Sequence, residues 1–410
     1  MPLLTPSVAG LSASPRTRAC LEWFRQERAW INEQHLKLCR IPAPTFFEQK
    51  RAAYMAEQFR ALGWEAKLDR AGNVVATLPG HENTPCIAVT AHLDTVFAPR
   101  SPDEIRVSAE GRLLGPGVAD NGAGLAALLA IAAAWMAARP IEDSPLVPVL
   151  VANVGEEGEG NLSGMRYFCR QASSGKLRGF LVLDGPSAEH ITSRALASRR
   201  FDVTITGPGG HSWRDFGAPN PVHVLSRAVT LFTDQAQAAE ASSGNGSGHP
   251  RTTFNFGIFE GGSSINSIPS EARAKIDLRS EDEERIGQLV KLLESSVDQA
   301  VETENARSNT GRVSARMREI GSRPSGALPY DAPILECVRA VDAYLGIRSH
   351  LDCSSTDANV PLSLGLPAVS IGAGGQGAGA HTASEWYLPE GRELGLRRIM
   401  LALCLLLSGE

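Results

Sequence analysis

Apolar residues recur at helical spacing over residues 16–38 and again over 47–62, where Gly63 follows as a stop signal. Beyond it the pattern changes to short runs that are nearly continuous in apolar residues: 73–78, 86–91, 145–154, 179–183 and 367–371. Such runs are expected of strands in a mainly parallel sheet, where helices cover both faces. Helical stretches separate them, notably 125–138, with Asp120 ahead of it as a possible N-cap. The layout is α/β: a mixed, mainly parallel sheet with helices on both faces.

The middle of the chain follows another rhythm. Residues 201–205 alternate like a half-exposed strand, 222–239 are helical, 253–259 and 272–278 alternate again, 283–301 are helical, and 312–320 form a last strand. The order β-α-β-β-α-β is that of a ferredoxin-like α+β unit. It implies an inserted domain over 198–320, between the two parts of an α/β domain at 1–197 and 321–410. The second part resumes with a helix over 332–344 and a strand near Val369. Residues 242–248 (SSGNGSG) read as a flexible loop within the insert.

Length and composition narrow the class. The 410 residues suit two or three domains at about 150 residues each. A net charge of −5 without a Lys/Arg block argues against nucleic acid or an anionic membrane as partner. The most apolar stretch, 124–138, is too short to span a bilayer, and no signal peptide is visible. The seven cysteines form no Cys-x-x-Cys pair, which disfavours a disulfide framework or a thiolate zinc site. These features predict a soluble, cytoplasmic, globular protein.

Open α/β sheets gather ligands beyond the carboxyl ends of their strands. Reading those positions gives His92 and Asp94 after one strand, Glu156 and Glu157 after another and Asp184 after a third. The last strand runs into a Gly-rich loop that delivers His381, and Asp120 opens the Ala-rich helix. Nitrogen and oxygen donors without thiolate suit Zn²⁺, with Mn²⁺ or Co²⁺ also able to bind. A pair of ions explains the donor count: one carboxylate bridges, and each ion takes one histidine and one further carboxylate. Two acids remain for other work. Asp94 is placed to orient His92 from behind, and Glu156 to move a proton between water and a leaving amine.

The motifs His92-Leu93-Asp94-Thr95, Ala119-Asp120-Asn121-Gly122, Gly155-Glu156-Glu157-Gly158, Leu183-Asp184-Gly185 and Ala380-His381-Thr382 resemble a known family. It is the co-catalytic zinc metallopeptidase family of peptidase T, aminoacylases, acetylornithine deacetylase, succinyl-diaminopimelate desuccinylase and glutamate carboxypeptidase. The stretch from Ser355-Thr356-Asp357-Ala358-Asn359 to Glu385-Trp386 looks closest to the peptidase T-like branch. The resemblance implies Asp120 as bridging ligand, His92 and Asp184 on one metal, and Glu157 and His381 on the other. It further implies Glu156 as general base acting on a metal-bridging hydroxide. In the insert, Gly207-Pro208-Gly209-Gly210-His211-Ser212 resembles the family's lid motif. His211 would stabilise the oxyanion, in many members from the partner subunit of a homodimer, while Asn266 and Arg279 would bind the substrate's backbone or carboxylate. Two departures flank the implied pocket: Asn121-Gly122, where many relatives have Lys, and the Gly-rich loop 372–380.

The implied activity is hydrolysis of an amide or peptide bond in a small substrate, as a di- or tripeptide exopeptidase. An N-acyl amino acid deacylase or other amidohydrolase is the alternative, and a non-catalytic binding protein would be expected to lack one of these residues. The Gly372–Gly377 match to G-x-G-x-x-G lacks a following amphipathic helix and βαβ unit, so it does not indicate dinucleotide binding.

Overall fold

The computed structural model describes residues 7–171, 175–242 and 251–409. Residues 243–248 of the loop read from the sequence lie outside them. The chain divides into two compact units, residues 1–195 with 326–410, and residues 196–325. The divisions lie a few residues from those the pattern suggests, because the insert's last strand continues to Arg323.

The first unit is built on a nine-stranded sheet. Its centre is four parallel strands in the order Val147–Asn153, Cys86–His92, Leu177–Leu183, Ala368–Ile371. Side chains alternate between two buried layers. Ile87, Val89, Ala91, Leu181, Leu183, Val369 and Ile371 pack into one, and Ala88, Val149, Val151, Phe180, Val182 and Ala368 into the other. Burial on both faces is the physical reason these strands lack polar alternation. The helix Gly122–Ala138 lies in the first layer, buried along its whole length to Trp135, which accounts for its continuous Ala/Leu composition. Among the described residues no helix is long and apolar enough to cross a membrane.

Several elements differ from the sequence expectation. The run over 16–38 is two helices, Pro15–Gln26 and Arg28–Arg40, divided at Glu27 (φ −96°, ψ 21°). The apolar spacing continues across the break, with Phe24 and Ile31 both buried, so periodicity does not reveal it. The N-cap of Gly122–Ala138 is Asn121, not Asp120: its side chain accepts the Gly124 N–H at 3.1 Å. With Val74–Thr77 and the short Gly326–Ala327 making up the nine, strands Glu65–Leu68, His190–Ala195 and His350–Ser354 extend the sheet toward its edges. They are short and polar in part, leaving too little pattern to read. A small four-stranded sheet, in the order Gln376–Ala378, Trp386–Leu388, Leu113–Leu114, Arg106–Val107, links two distant parts of the chain.

The second unit runs Ala197–Thr206, helix Pro221–Ser242, Thr252–Gly261, Glu271–Ser280, helix Glu283–Arg307 and Ser314–Arg323. The sheet order is Thr252–Gly261, Glu271–Ser280, Ala197–Thr206, Ser314–Arg323, with all neighbours antiparallel. This is the ferredoxin-like arrangement. Phe201, Val203, Ile205, Ala274, Ile276 and Leu278 from one sheet face form a separate core with Leu225, Phe232, Ile286 and Leu293 of the helices.

Candidate metal centre

The four parallel strands end on one rim, and the ligand-type residues emerge there. His92 is the last residue of its strand and is buried. Its Nδ1 lies 3.0 Å from the Asp94 carbonyl oxygen, which makes Nδ1 the donor and aims Nε2 into the site. Nε2 faces Asp120 Oδ1 at 3.1 Å and Asp184 Oδ1 at 3.9 Å. Across the rim, His381 Nε2 faces Asp120 Oδ2 at 3.1 Å and Glu157 Oε1 at 2.7 Å. Asp120 therefore presents one carboxylate oxygen to each histidine. His381 itself has φ +62°, a left-handed conformation uncommon outside glycine and typical of functional loops.

The Asp94 carboxylate has a second task besides standing 3.5 Å from His92 Nδ1. Its Oδ1 accepts the Glu156 N–H at 3.0 Å, and its Oδ2 accepts the Glu157 N–H at 2.9 Å and the Thr45 hydroxyl at 2.9 Å. It thus fixes the turn that carries both glutamates, each of which is buried. Asn121, read from the sequence as flanking the pocket, is instead fully buried behind it. Its Nδ2 donates to the Leu183 carbonyl at 2.8 Å, tying the Asp120 loop to the strand that ends before Asp184. The Asp120–Asn121 peptide bond is cis.

Charge in the centre is strongly coupled. Burial opposes a charged His92, yet its hydrogen bonds to Asp120, Asp184 and Asp94 prevail and hold its pKa well above the usual value. His381 is raised to about 10 by Asp120 and then Glu157. Burial acts to raise Asp120, but the two imidazoles outweigh it and lower its pKa.

Three residues escaped sequence reasoning. Glu385, 3% exposed, accepts backbone N–H groups from the Asp120 loop. Asp357, 1% exposed, accepts a hydrogen bond from Asn153 Nδ2 at 2.6 Å, and burial raises its pKa to about 7. Glu48 accepts the Gly155 N–H at 3.1 Å, just ahead of the two glutamates. Glu385 and Asp357 lie within runs that carry the family resemblance, but nothing in their spacing shows what they hold.

His211, Asn266 and Arg279 belong to the second unit. The strand Gly210–His211 pairs with Ser267–Ile268, and the Asn266 carbonyl accepts the Ser212 N–H at 3.0 Å, so His211 and Asn266 are neighbours. His211 Nδ1 accepts the Trp213 N–H at 3.1 Å, which leaves its Nε2 as a donor. Arg279 is not with them. It pairs with Ser198 at one end of its strand, whereas His211 and Asn266 lie beyond the other end, where Glu271 pairs with Thr206. The eight residue steps from Glu271 to Arg279 span about 26 Å at a strand's rise. Arg279 Nε is engaged by Asp277 Oδ2 at 2.7 Å.

Three overlapping trios among the described residues place their donor atoms within 4.8 Å of one another: His92/Asp120/Asp184, Asp120/Glu157/His381 and His92/Glu156/Glu157. The first two share Asp120. Imidazole nitrogens and carboxylate oxygens without sulfur suit a borderline divalent ion, so this donor set fits a metal pair. A parallel-sheet rim of this composition, in a chain with a ferredoxin-like insert, is the architecture of a metal-dependent hydrolase.

Comparison with known proteins narrows the class. Residues 197–305 match the peptidase dimerisation domain of the M20 type, and residues 73–206 match peptidase family M28. An uncharacterised Bacillus subtilis (strain 168) protein, YqjE, is 26% identical over 357 residues, covering 83% of this chain and 89% of the relative. The cytosol non-specific dipeptidase of Escherichia coli (strain K12) is 26% identical over 58% of this chain, but over only 51% of its own length. Succinyl-diaminopimelate desuccinylase of Paracoccus denitrificans (strain Pd 1222) is 26% identical over 65% of this chain and 74% of its own. A tripeptidase from Staphylococcus aureus subsp. aureus Mu50 shares the fold at a TM-score of 0.71 and 20% identity, covering 92% of this chain and 98% of that one. These matches agree with the resemblance of the motifs: the insert is similar to the M20-type dimerisation domain, and the first part of the chain to a peptidase family.

Proposed function

We propose that the chain is a di- or tripeptide exopeptidase of the peptidase T kind, working with two divalent ions, Zn²⁺ in first place and Mn²⁺ or Co²⁺ as alternatives. The observation that carries this reading is Asp120, whose two oxygens stand 3.1 Å from Nε2 of His92 and 3.1 Å from Nε2 of His381. Asp120 would serve both ions, with Asp184 and His92 holding one and Glu157 and His381 the other. Bound there, the pair would polarise an amide carbonyl and acidify a water. Glu156 would take a proton from water on its carboxylate and pass it to the leaving amine. Asp94 keeps Glu156 and Glu157 in register through their backbone N–H groups. His211 donates from Nε2 to the developing oxyanion. Arg279 and Asn266 serve the substrate's carboxylate and backbone.

The dimerisation domain supports a homodimer formed through the insert. The strand length between Arg279 and the His211–Asn266 pair favours the same conclusion. One small substrate meets both only if two copies of the insert contribute, His211 and Asn266 from one and Arg279 from the other.

A deacylase remains the second reading, favoured by the similarity to a desuccinylase over 74% of that enzyme's length. The deciding experiment offers one tripeptide in two forms, free and N-acetylated, with Zn²⁺ or Mn²⁺ supplied. Release of the first residue from the free form alone is the expected result. Release of acetate from the blocked form would move the enzyme to the deacylases.

A further inference from the structure

Glu385 has no part in the chemistry above, yet its carboxylate is fully engaged. Oε2 accepts the Gly117 N–H at 2.7 Å, and Oε1 accepts the N–H groups of Ala119 at 2.7 Å and Asp120 at 2.8 Å. Its own carbonyl accepts the Gly115 N–H at 2.9 Å. Burying a carboxylate this deeply is costly, and burial does push the Glu385 pKa up, with the three amides working against the rise. A fold does not carry that cost in a surface loop without a return.

The return lies in what the contact joins. Glu385 follows His381 by four residues, and its three donors end at Asp120. The small sheet reinforces the junction: Trp386 pairs with Ala378 on the His381 side and with Leu114 on the Asp120 side. Gly117 has φ +76°, and a Cβ there would stand 2.5 Å from Thr95 Cγ2, so a side chain at this position would disturb the backbone whose N–H the Glu385 carboxylate accepts. The loop also closes on itself, since the Gly117 carbonyl accepts the Gly122 N–H at 2.9 Å. One side chain therefore locks the loop of the shared carboxylate to the loop of the second histidine.

We propose that Glu385 is a positioning residue: it sets the spacing between Asp120 and His381 before any ion arrives and so makes the two metal positions interdependent. This rests on the metal-pair reading of the site. Glu385→Gln tests it closely, because an amide must turn its NH₂ toward Gly117 or toward Ala119 and Asp120, setting donor against donor. The expected result is a folded protein, by circular dichroism, whose affinity for Zn²⁺ in competition dialysis falls about tenfold or more at both positions together. Two equivalents bound with wild-type affinity would overturn the proposal.

A second measurement needs no variant. In wild-type protein stripped with a chelator, the amides of Gly117, Ala119 and Asp120 should resist hydrogen exchange as strongly as in metal-loaded protein. Protection that appears only on metal addition would mean that the ions, and not Glu385, order the loop. Wild-type protein that binds fewer than two equivalents would sink the metal-pair reading, while the exchange result would still judge Glu385 as the loop's anchor.

Discussion

His92 and His381 both turn Nε2 toward carboxylates, and in the metal-free protein both have raised pKa values, His381 to about 10. The surrounding carboxylates thus favour the protonated form of each, and that proton must leave for the ring nitrogen to ligate an ion. Metal uptake at pH 7 should release about two protons, and affinity should strengthen as pH rises from 6 to 8, because the competing proton becomes scarcer. Calorimetry in buffers of different ionisation enthalpy reads both quantities, and proton release near zero would contradict the ion pairs seen around Asp120. The ligand-type residues were legible because strand-end position and residue type coincide at His92, Glu157 and Asp184. Glu385 was not, because its partners are main-chain N–H groups as far as 268 positions away, and a backbone donor leaves no trace in residue identity.

Among the elements, the helix Gly122–Ala138 is the most constrained at its start. A Cβ on Gly124 would stand 2.2 Å from Asn121 Oδ1 and 2.8 Å from the Leu183 carbonyl, so any side chain pushes the cap off the helix and away from the strand before Asp184. Gly124→Ala should lower unfolding free energy by about 1–3 kcal/mol, despite alanine's better helix propensity, because the site cannot expand. Chemical denaturation gives the sign, and a stabilised variant would show that the cap yields easily. The central strands and this helix were readable from the sequence because burial on both faces writes long apolar runs. Glu27 and the two- and three-residue strands of the small sheet were not, since each is decided by one backbone angle or by a neighbour distant in sequence.

At the scale of the molecule, Arg279 lies at one end of its strand and His211 lies beyond the other end, and for the proposed homodimer this predicts how inactive variants complement each other. Glu156→Ala and His211→Ala should each abolish most turnover. Unfolded together and refolded as a mixture, they should recover about a quarter of wild-type activity, since half of randomly formed dimers are mixed and each has one intact pair of contributions. No recovery above the parents would place His211 in the service of its own subunit. The β-α-β-β-α-β order announced the insert, but the separation of Arg279 from His211 required the strand register.

The Asp94 carboxylate grips Glu156 and Glu157 by their main-chain N–H groups, contacts that do not depend on which side chain stands at position 156. On the proposed mechanism, trimming Glu156 to alanine removes the proton carrier while the Asp94 contacts to the main chain of the turn stay in place. Such a protein would hold a peptide and not let it go as products. Immobilised and passed over a mixture of small peptides, it becomes bait, and the sequences it retains would reveal the enzyme's preferences without any prior guess at them.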